Sequence, residues 1–215
     1  MQQQKPKKDV KWGDFMLFGK KYGGAIGYFK LDKFWSKLSE KERKIIRNAS
    51  NQGISLIIST KRKKIPDNEI DKGKFSVPFK IDERNKEILL NTPIDYFSGI
   101  LGNLVHSNNK GEVQLFIKWY KYLTKKFPKV NDQWSLYFFH MHAMEAYKKL
   151  KDMSKAVEAA EKNLIIAEKL SRKIKKDHLR NPCYEFLHYY WSKKEPNETK
   201  LKWLKKVGKK CGWKR

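Results

Sequence analysis

The sequence predicts a mostly α protein in which a small irregular N-terminal region, holding at most one short β-hairpin, precedes a series of antiparallel helical hairpins. Three observations predict it. From Pro93 onward, apolar residues recur at helical spacing. Short polar links interrupt that pattern: HSNNKG at 106–111, KDMS at 151–154 and EPNET at 195–199. Links of this length join neighbouring antiparallel helices. Across two of them, a position near the end of one helix is followed nine residues later by a position near the start of the next: Ser107 to Phe116, and Tyr147 to Ala156.

With 215 residues, 40% of them hydrophobic and 13% aromatic, the chain can bury a substantial core. No run approaches the ~18 consecutive apolar residues of a membrane span, and the apolar stretch after the charged start is cut by Lys20 and Lys21. The expected location is cytoplasmic. Cys183 and Cys211 have no CxxC spacing and no histidine at metal-ligand spacing, which predicts reduced intracellular thiols. The 49 Lys and Arg against 23 Asp and Glu give a formal charge of +26. Such a field draws polyanions. The alternative is a compositional habit that keeps the protein soluble, and the preponderance of Lys over Arg favours it slightly, because bidentate phosphate and guanine contacts prefer Arg.

Residues 1–11 are polar and Lys-rich with nothing to bury, which predicts a mobile basic arm. Residues 12–93 form the N-terminal region. Its first part mixes aromatics with Gly13, Gly19, Gly23, Gly24 and Gly27, without the spacing of a phosphate-binding loop. Residues 31–50 carry apolar Leu31, Phe34, Trp35 and Leu38, then Ile45 and Ile46, and Ser39 with Glu42 matches a capping box. Two short helices fit. The basic run Lys61–Lys64 before Pro66 reads as a solvated loop, with a nucleic-acid patch as its rival. PDNEID at 66–71 lacks the Gly and Glu offsets of a calcium loop. Alternation of Phe75, Val77, Phe79 and Ile81, a turn at DERN and a return through Ile88 and Leu90 predict a hairpin, with Pro78 confining the first strand to an edge.

Residues 94–215 form the helical domain. The expected helices run from Ile94 to about Ser107, through EVQLFIKWYKYLTKKF to Pro128, from Trp134 to Leu150, and from Lys155 on toward Lys176. A compressed third pair is expected from CYEFLHYYWSKK and KLKWLKKVGKKC.

His140-x2-Ala143-Met144-x2-Tyr147, then Ala156-x3-Ala160 after nine residues, resembles the joint of a tetratricopeptide repeat. The preceding hairpin offers Ile100-x2-Asn103-Leu104-x2-Ser107, then Phe116-x3-Tyr120 and Pro128. Small residues at Ala143, Ala156 and Ala160 allow close backbone approach, with Tyr120 and Tyr147 filling between layers. The two hairpins are offset by 40 residues, longer than the family's ~34, and the second lacks the closing Pro. The resemblance covers residues 94–207; the chain is also faintly similar to uncharacterised bacterial proteins of this kind. It implies an α-α superhelix whose first helices line a concave face, which would place Phe138, Met141, His142, Glu145 and Lys149 in a groove for a protein or peptide partner. Glu145 stands where family members that clamp a terminal carboxylate carry Asn, which speaks against that mode.

Non-enzymatic partner recognition is the expected function, with nucleic-acid binding as the alternative. The candidates for the latter are Lys155, Lys162, Lys169 and Lys176, seven residues apart on what reads as one helix, with Arg172, Lys173, Lys206 and Lys210. Glu158 and Glu168 are spaced to pair with Lys162 and Arg172, so a solvated face is the rival reading. The tail tryptophans Trp203 and Trp213 read as core, with base stacking as the rival reading. An enzyme, a nuclease built on the N-terminal region, ranks third. His140 and His142 point to different sides of their helix and cannot share a metal. His142 and Glu145 could touch as an acid/base pair, but no further catalytic group accompanies them. No cofactor or metal is implied.

Overall fold

A computed structural model describes residues 26, 27, 29–49, 93–128, 133–177 and 180–213, together with the strands 79–82 and 87–90. The arm, Gly13 to Gly24, Lys61–Lys64, PDNEID, Lys214 and Arg215 lie outside these residues. The chain divides into two compact units, Met1–Asn103 and Leu104–Arg215. The sequence places its change of pattern at 93–94.

In the first unit, α1 (Asp32–Trp35) buries Phe34 and Trp35, and α2 covers residues 40–49. The capping box forms in both directions: Ser39 N–H donates to Glu42 Oε2 at 2.7 Å and Glu42 N–H to Ser39 Oγ at 3.2 Å. Two of the four orphan donors at the helix start are thereby satisfied. Strands β1 (Phe79–Asp82) and β2 (Glu87–Leu90) pair antiparallel, with Phe79 opposite Leu90 and Ile81 opposite Ile88. Helix α3 (Pro93–His106) begins on a proline whose missing N–H costs nothing there. Its rings Tyr96 and Phe97 lie 6.1 and 6.2 Å from Phe29.

The second unit is built from α4 (Lys110–Lys126), α5 (Gln133–Lys149), α6 (Met153–Lys169), α7 (Ser171–Lys176), α8 (Pro182–Tyr189), a π-helical turn (Tyr190–Lys194) that extends α8, and α9 (Glu198–Cys211). Helices α4 and α5 run antiparallel, with Tyr120 beside Phe139 and Phe116 beside Phe139 and His142. Antiparallel α5 and α6 meet again far from their link, where Asn163 Nδ2 donates to the Tyr137 carbonyl at 2.6 Å. Helices α8 and α9 form the third hairpin, closed by Trp191 against Trp203 and by Tyr184 against Gly208. A Cβ on Gly208 would stand 2.8 Å from the Tyr184 ring, so only glycine permits this approach. Lys200 to Glu161, Lys210 to Glu168, and the Cys211 thiol to the Ala167 carbonyl tie α9 along α6 in parallel.

The expected helix from Lys155 to Lys176 is corrected. It ends at Lys169, turns at Leu170 (φ −91°, ψ 8°) and resumes as α7. A straight helix would carry Ile174 about 10 Å past Ala167, which is already level with Cys211 at the end of α9. Bending returns Ile174 to full burial. In the same way Glu168 pairs with Lys210 rather than with Arg172.

Between α5 and α6, Lys151 N–H donates to the Lys148 carbonyl and Asp152 N–H to the Tyr147 carbonyl. This double bond pattern closes the end of a helix with one left-handed residue. Here that residue is Lys151, at φ 62°. Gly212 does the same job after α9 at φ 76°. A side chain in that region costs about 1–2 kcal/mol, of which glycine's greater freedom when unfolded offsets about 0.5–1 kcal/mol. Lys151→Gly is therefore expected to stabilise by about 0.5–1 kcal/mol in urea or thermal melts; a lower midpoint would refute it.

Candidate functional site

The two nine-residue steps converge. Phe116, Tyr120, Ala143, Tyr147, Ala156 and Ala160 are all buried, and the Tyr120 ring stacks on Phe116 at 6.2 Å and meets Tyr147 edge-on at 6.4 Å. These are scaffold residues. They fix which side of α5 remains open.

That side carries Phe138, Met141, His142 and Glu145, each partly exposed, and Lys149, which is exposed. Phe138 rests edge-on against Trp134 and Tyr137. His142 packs its ring against His106 and Phe116. Burial, then the nearby His106, lower its basicity, with Glu145 opposing them. Glu145 bonds through both carboxylate oxygens to Lys148, at 3.2 and 3.3 Å, so the acid/base pair with His142 does not form. Lys149 Nζ donates to the Ser107 carbonyl at 3.2 Å. His140, on the other side, is 7% exposed.

An open groove of about 600 Å³ runs beside this face, lined by Glu145 and Lys148 of α5, Met153 of α6, and Pro182, Phe186 and Tyr189 of α8, then continuing past Tyr190 to Lys194. Of the five residues predicted for a partner groove, Glu145 alone lines it. The sequence pattern gives CYEFLHYYWSKK as the first helix of a third pair but carries no signal that it walls this groove. Met153 is 39% and Tyr189 54% exposed, two of three exposed large hydrophobic side chains among the described residues, and the groove holds both. Lys148 Nζ stands 5.5 Å over the Phe186 ring. The acids at the groove are engaged: Glu145 by Lys148, Glu185 by Arg180 at 2.9 Å, and Glu195, beyond the lining, by the Tyr190 hydroxyl at 2.8 Å. That last bond raises the Tyr190 pKa. Lys193 and Lys194 are exposed, with no ion pair among the described residues.

The predicted basic stripe is divided. Lys155 pairs with Asp152 at 2.7 Å and Lys162 with Glu158 at 2.5 Å, as its spacing predicts. Lys173 lies 4.0 Å over the Trp134 ring, and Lys210 is held by Glu168. Lys169, Arg172, Lys176 and Lys206 are exposed and have no ion-pair partner among the described residues. Both cysteines are buried free thiols, and burial raises the pKa of each. Among the described residues no group of three His, Cys, Asp or Glu could hold a metal ion, and no helix is long and apolar enough to cross a membrane.

Compared with protein-family models, with curated proteins and with solved structures, the chain matches none.

Proposed function

We propose that the protein works by binding rather than by catalysis, and that the groove between α5 and α8 receives a segment of a partner protein. The observation that carries this reading is the exposure of Met153 and Tyr189 in one concavity with Phe186 beside them. Buried apolar anchors in pockets supply most of the binding energy at interfaces. The order of helices supports the reading. α5 and α8 are the first helices of successive hairpins and share the groove, while the second helices, α6 and α9, run parallel. A short tetratricopeptide-like stack would present its partner surface in this way. Because the groove's acids are engaged and Lys193 and Lys194 are not, the fitting segment carries a bulky apolar side chain flanked by carboxylates.

An array of fifteen-residue peptides that pair one Phe, Leu or Trp with Asp and Glu, probed with the full chain, tests this. Tyr189→Ala and Met153→Ala are each expected to weaken the best peptides about tenfold or more. Binding that ignores both variants would move the site elsewhere and end this reading.

A further inference from the structure

Helix α9 keeps its charge on one side. Leu204, Val207, Gly208 and Cys211 are buried, and Lys202, Lys205, Lys206 and Lys209 are exposed. At 100° per residue these four ammonium groups fall within an arc of about 100°, spread over about 10 Å of helix axis. None has an ion-pair or hydrogen-bond partner among the described residues. The α6 acids that reach α9 are spent on other lysines, Glu161 on Lys200 and Glu168 on Lys210.

The bend at Leu170 puts a second group of cations on the helix that packs against α9. Helix α7 packs on α9 with Ile174 buried and Arg172, Lys175 and Lys176 exposed. The Lys175 stem lies over the end of α9, where a Cβ on Gly212 would stand 3.2 Å from its Cγ. The acids of the two helices sit at their ends, Glu198 in the first turn of α9 and Asp177 at the C-cap of α7. Seven cations without an ion-pair partner among the described residues thus share two adjoining helices.

We infer that the face formed by α7 and α9 binds the phosphate backbone of a nucleic-acid duplex without reading its sequence. This site shares no residue with the groove. A duplex presents about one charge per 1.7 Å of axis, so a 10 Å row of ammonium groups meets several phosphates at once. Single-strand binders need open aromatic faces for the bases. Here Trp203 is taken by Trp191 at 6.1 Å and Trp213 by Tyr184 at 5.2 Å. Six of the seven cations are Lys, point charges suited to phosphate rather than to the bidentate contacts that distinguish guanine.

The test is fluorescence anisotropy of the full chain with a labelled 20-base-pair DNA duplex and a labelled 20-nucleotide poly(dT), from 50 to 300 mM NaCl. The variant K202Q/K205Q/K206Q/K209Q is compared with K121Q/K125Q/K155Q/K162Q, which removes four charges from α4 and α6. All eight side chains are exposed, and unchanged thermal melts confirm folding. Tighter binding of duplex than of poly(dT), a logarithmic salt slope of about −4 or steeper, and a loss of about tenfold or more with a slope flattened by two or more units in the α9 variant alone support the inference. Equal losses in both variants would reduce the effect to net charge and overturn it, as would preference for poly(dT) or no measurable duplex binding at 50 mM. Peptide binding in the groove is expected to survive the α9 variant, so the two sites stand or fall separately.

Discussion

Asn181→Ala is expected to lower the unfolding free energy by about 2–4 kcal/mol, the largest effect of any single truncation outside the apolar core. Asn181 caps α8 by accepting from Tyr184 N–H at 3.0 Å, and its Nδ2 donates both to Asn163 Oδ1 at 2.8 Å and to the Tyr137 hydroxyl at 3.1 Å. Asn163 in turn donates to the Tyr137 carbonyl on α5. Three helices, α5, α6 and α8, are therefore held by one buried polar chain, with Asn163 fully buried and Asn181 2% exposed. Losing the cap costs about 1 kcal/mol. The abandoned Asn163 and Tyr137 oxygens cost a further 1–3 kcal/mol between them, because no water replaces the missing partner at no cost. In a chain of this length that corresponds to a fall of roughly 10 °C in Tm. Asn197→Ala supplies the comparison, since Asn197 caps α9 through Lys200 N–H alone and should cost about 1 kcal/mol. Similar losses for the two variants would mean that the network contributes nothing beyond capping. Because α5 and α8 are also the walls of the groove, Asn181→Ala is expected to weaken peptide binding even where the protein stays folded.

Most helix boundaries were legible because the links announce themselves. Asn109 and Asp152 cap the helices that follow them, as their residue types predict. The turn at Leu170 was not. Lys169, Leu170 and Ser171 contain no Gly or Pro, and Ile174 falls on the same stripe as Ala156, Ala160 and Ala167, so local pattern favours a straight helix. Tertiary packing decides otherwise, because the partner helix ends first. The neutralisation of the lysine stripe follows the same division: Glu158 with Lys162 is a local i,i+4 pair and readable, whereas Glu168 with Lys210 spans 42 residues and is not. Asn163 did leave a signal, a polar residue three after Ala160 and four before Ala167 on an otherwise apolar face. Its partner, Asn181, lies beyond an unreadable turn. The groove was half legible for a related reason: helical periodicity gives the open side of α5, but which helix stands opposite it depends on how the third hairpin returns.

The second large effect concerns acid. His140 on α5 and Tyr120 on α4 share a buried hydrogen bond of 2.7 Å between Nδ1 and the phenolic oxygen. Burial, with a smaller contribution from Lys162, pushes the imidazole pKa down from 6.5 to about 4, against a weaker upward pull from Glu158. Burial likewise raises the Tyr120 pKa above its ordinary value of 10, so both partners are uncharged at pH 7. The unfolded chain takes up a proton on His140 near pH 6.5 and the folded chain only near pH 4. Stability from this site is thus complete above pH 6.5 and declines as pH falls through that window. The drop in pKa corresponds to about 3 kcal/mol. His142 is shifted the same way, so the measurement needs a background in which it no longer titrates. In His142→Asn protein, the unfolding free energy from urea melts should fall by about 3 kcal/mol more between pH 7.5 and 4 than in the double variant His142→Asn/His140→Gln, which is less stable at neutral pH but has no buried imidazole to charge. Parallel pH profiles would show that protonation of His140 is not what acid exploits. A gap that closes as the pH falls places the acid-sensitive joint between α4 and α5, at the ring cluster of Phe116, Tyr120 and Phe139.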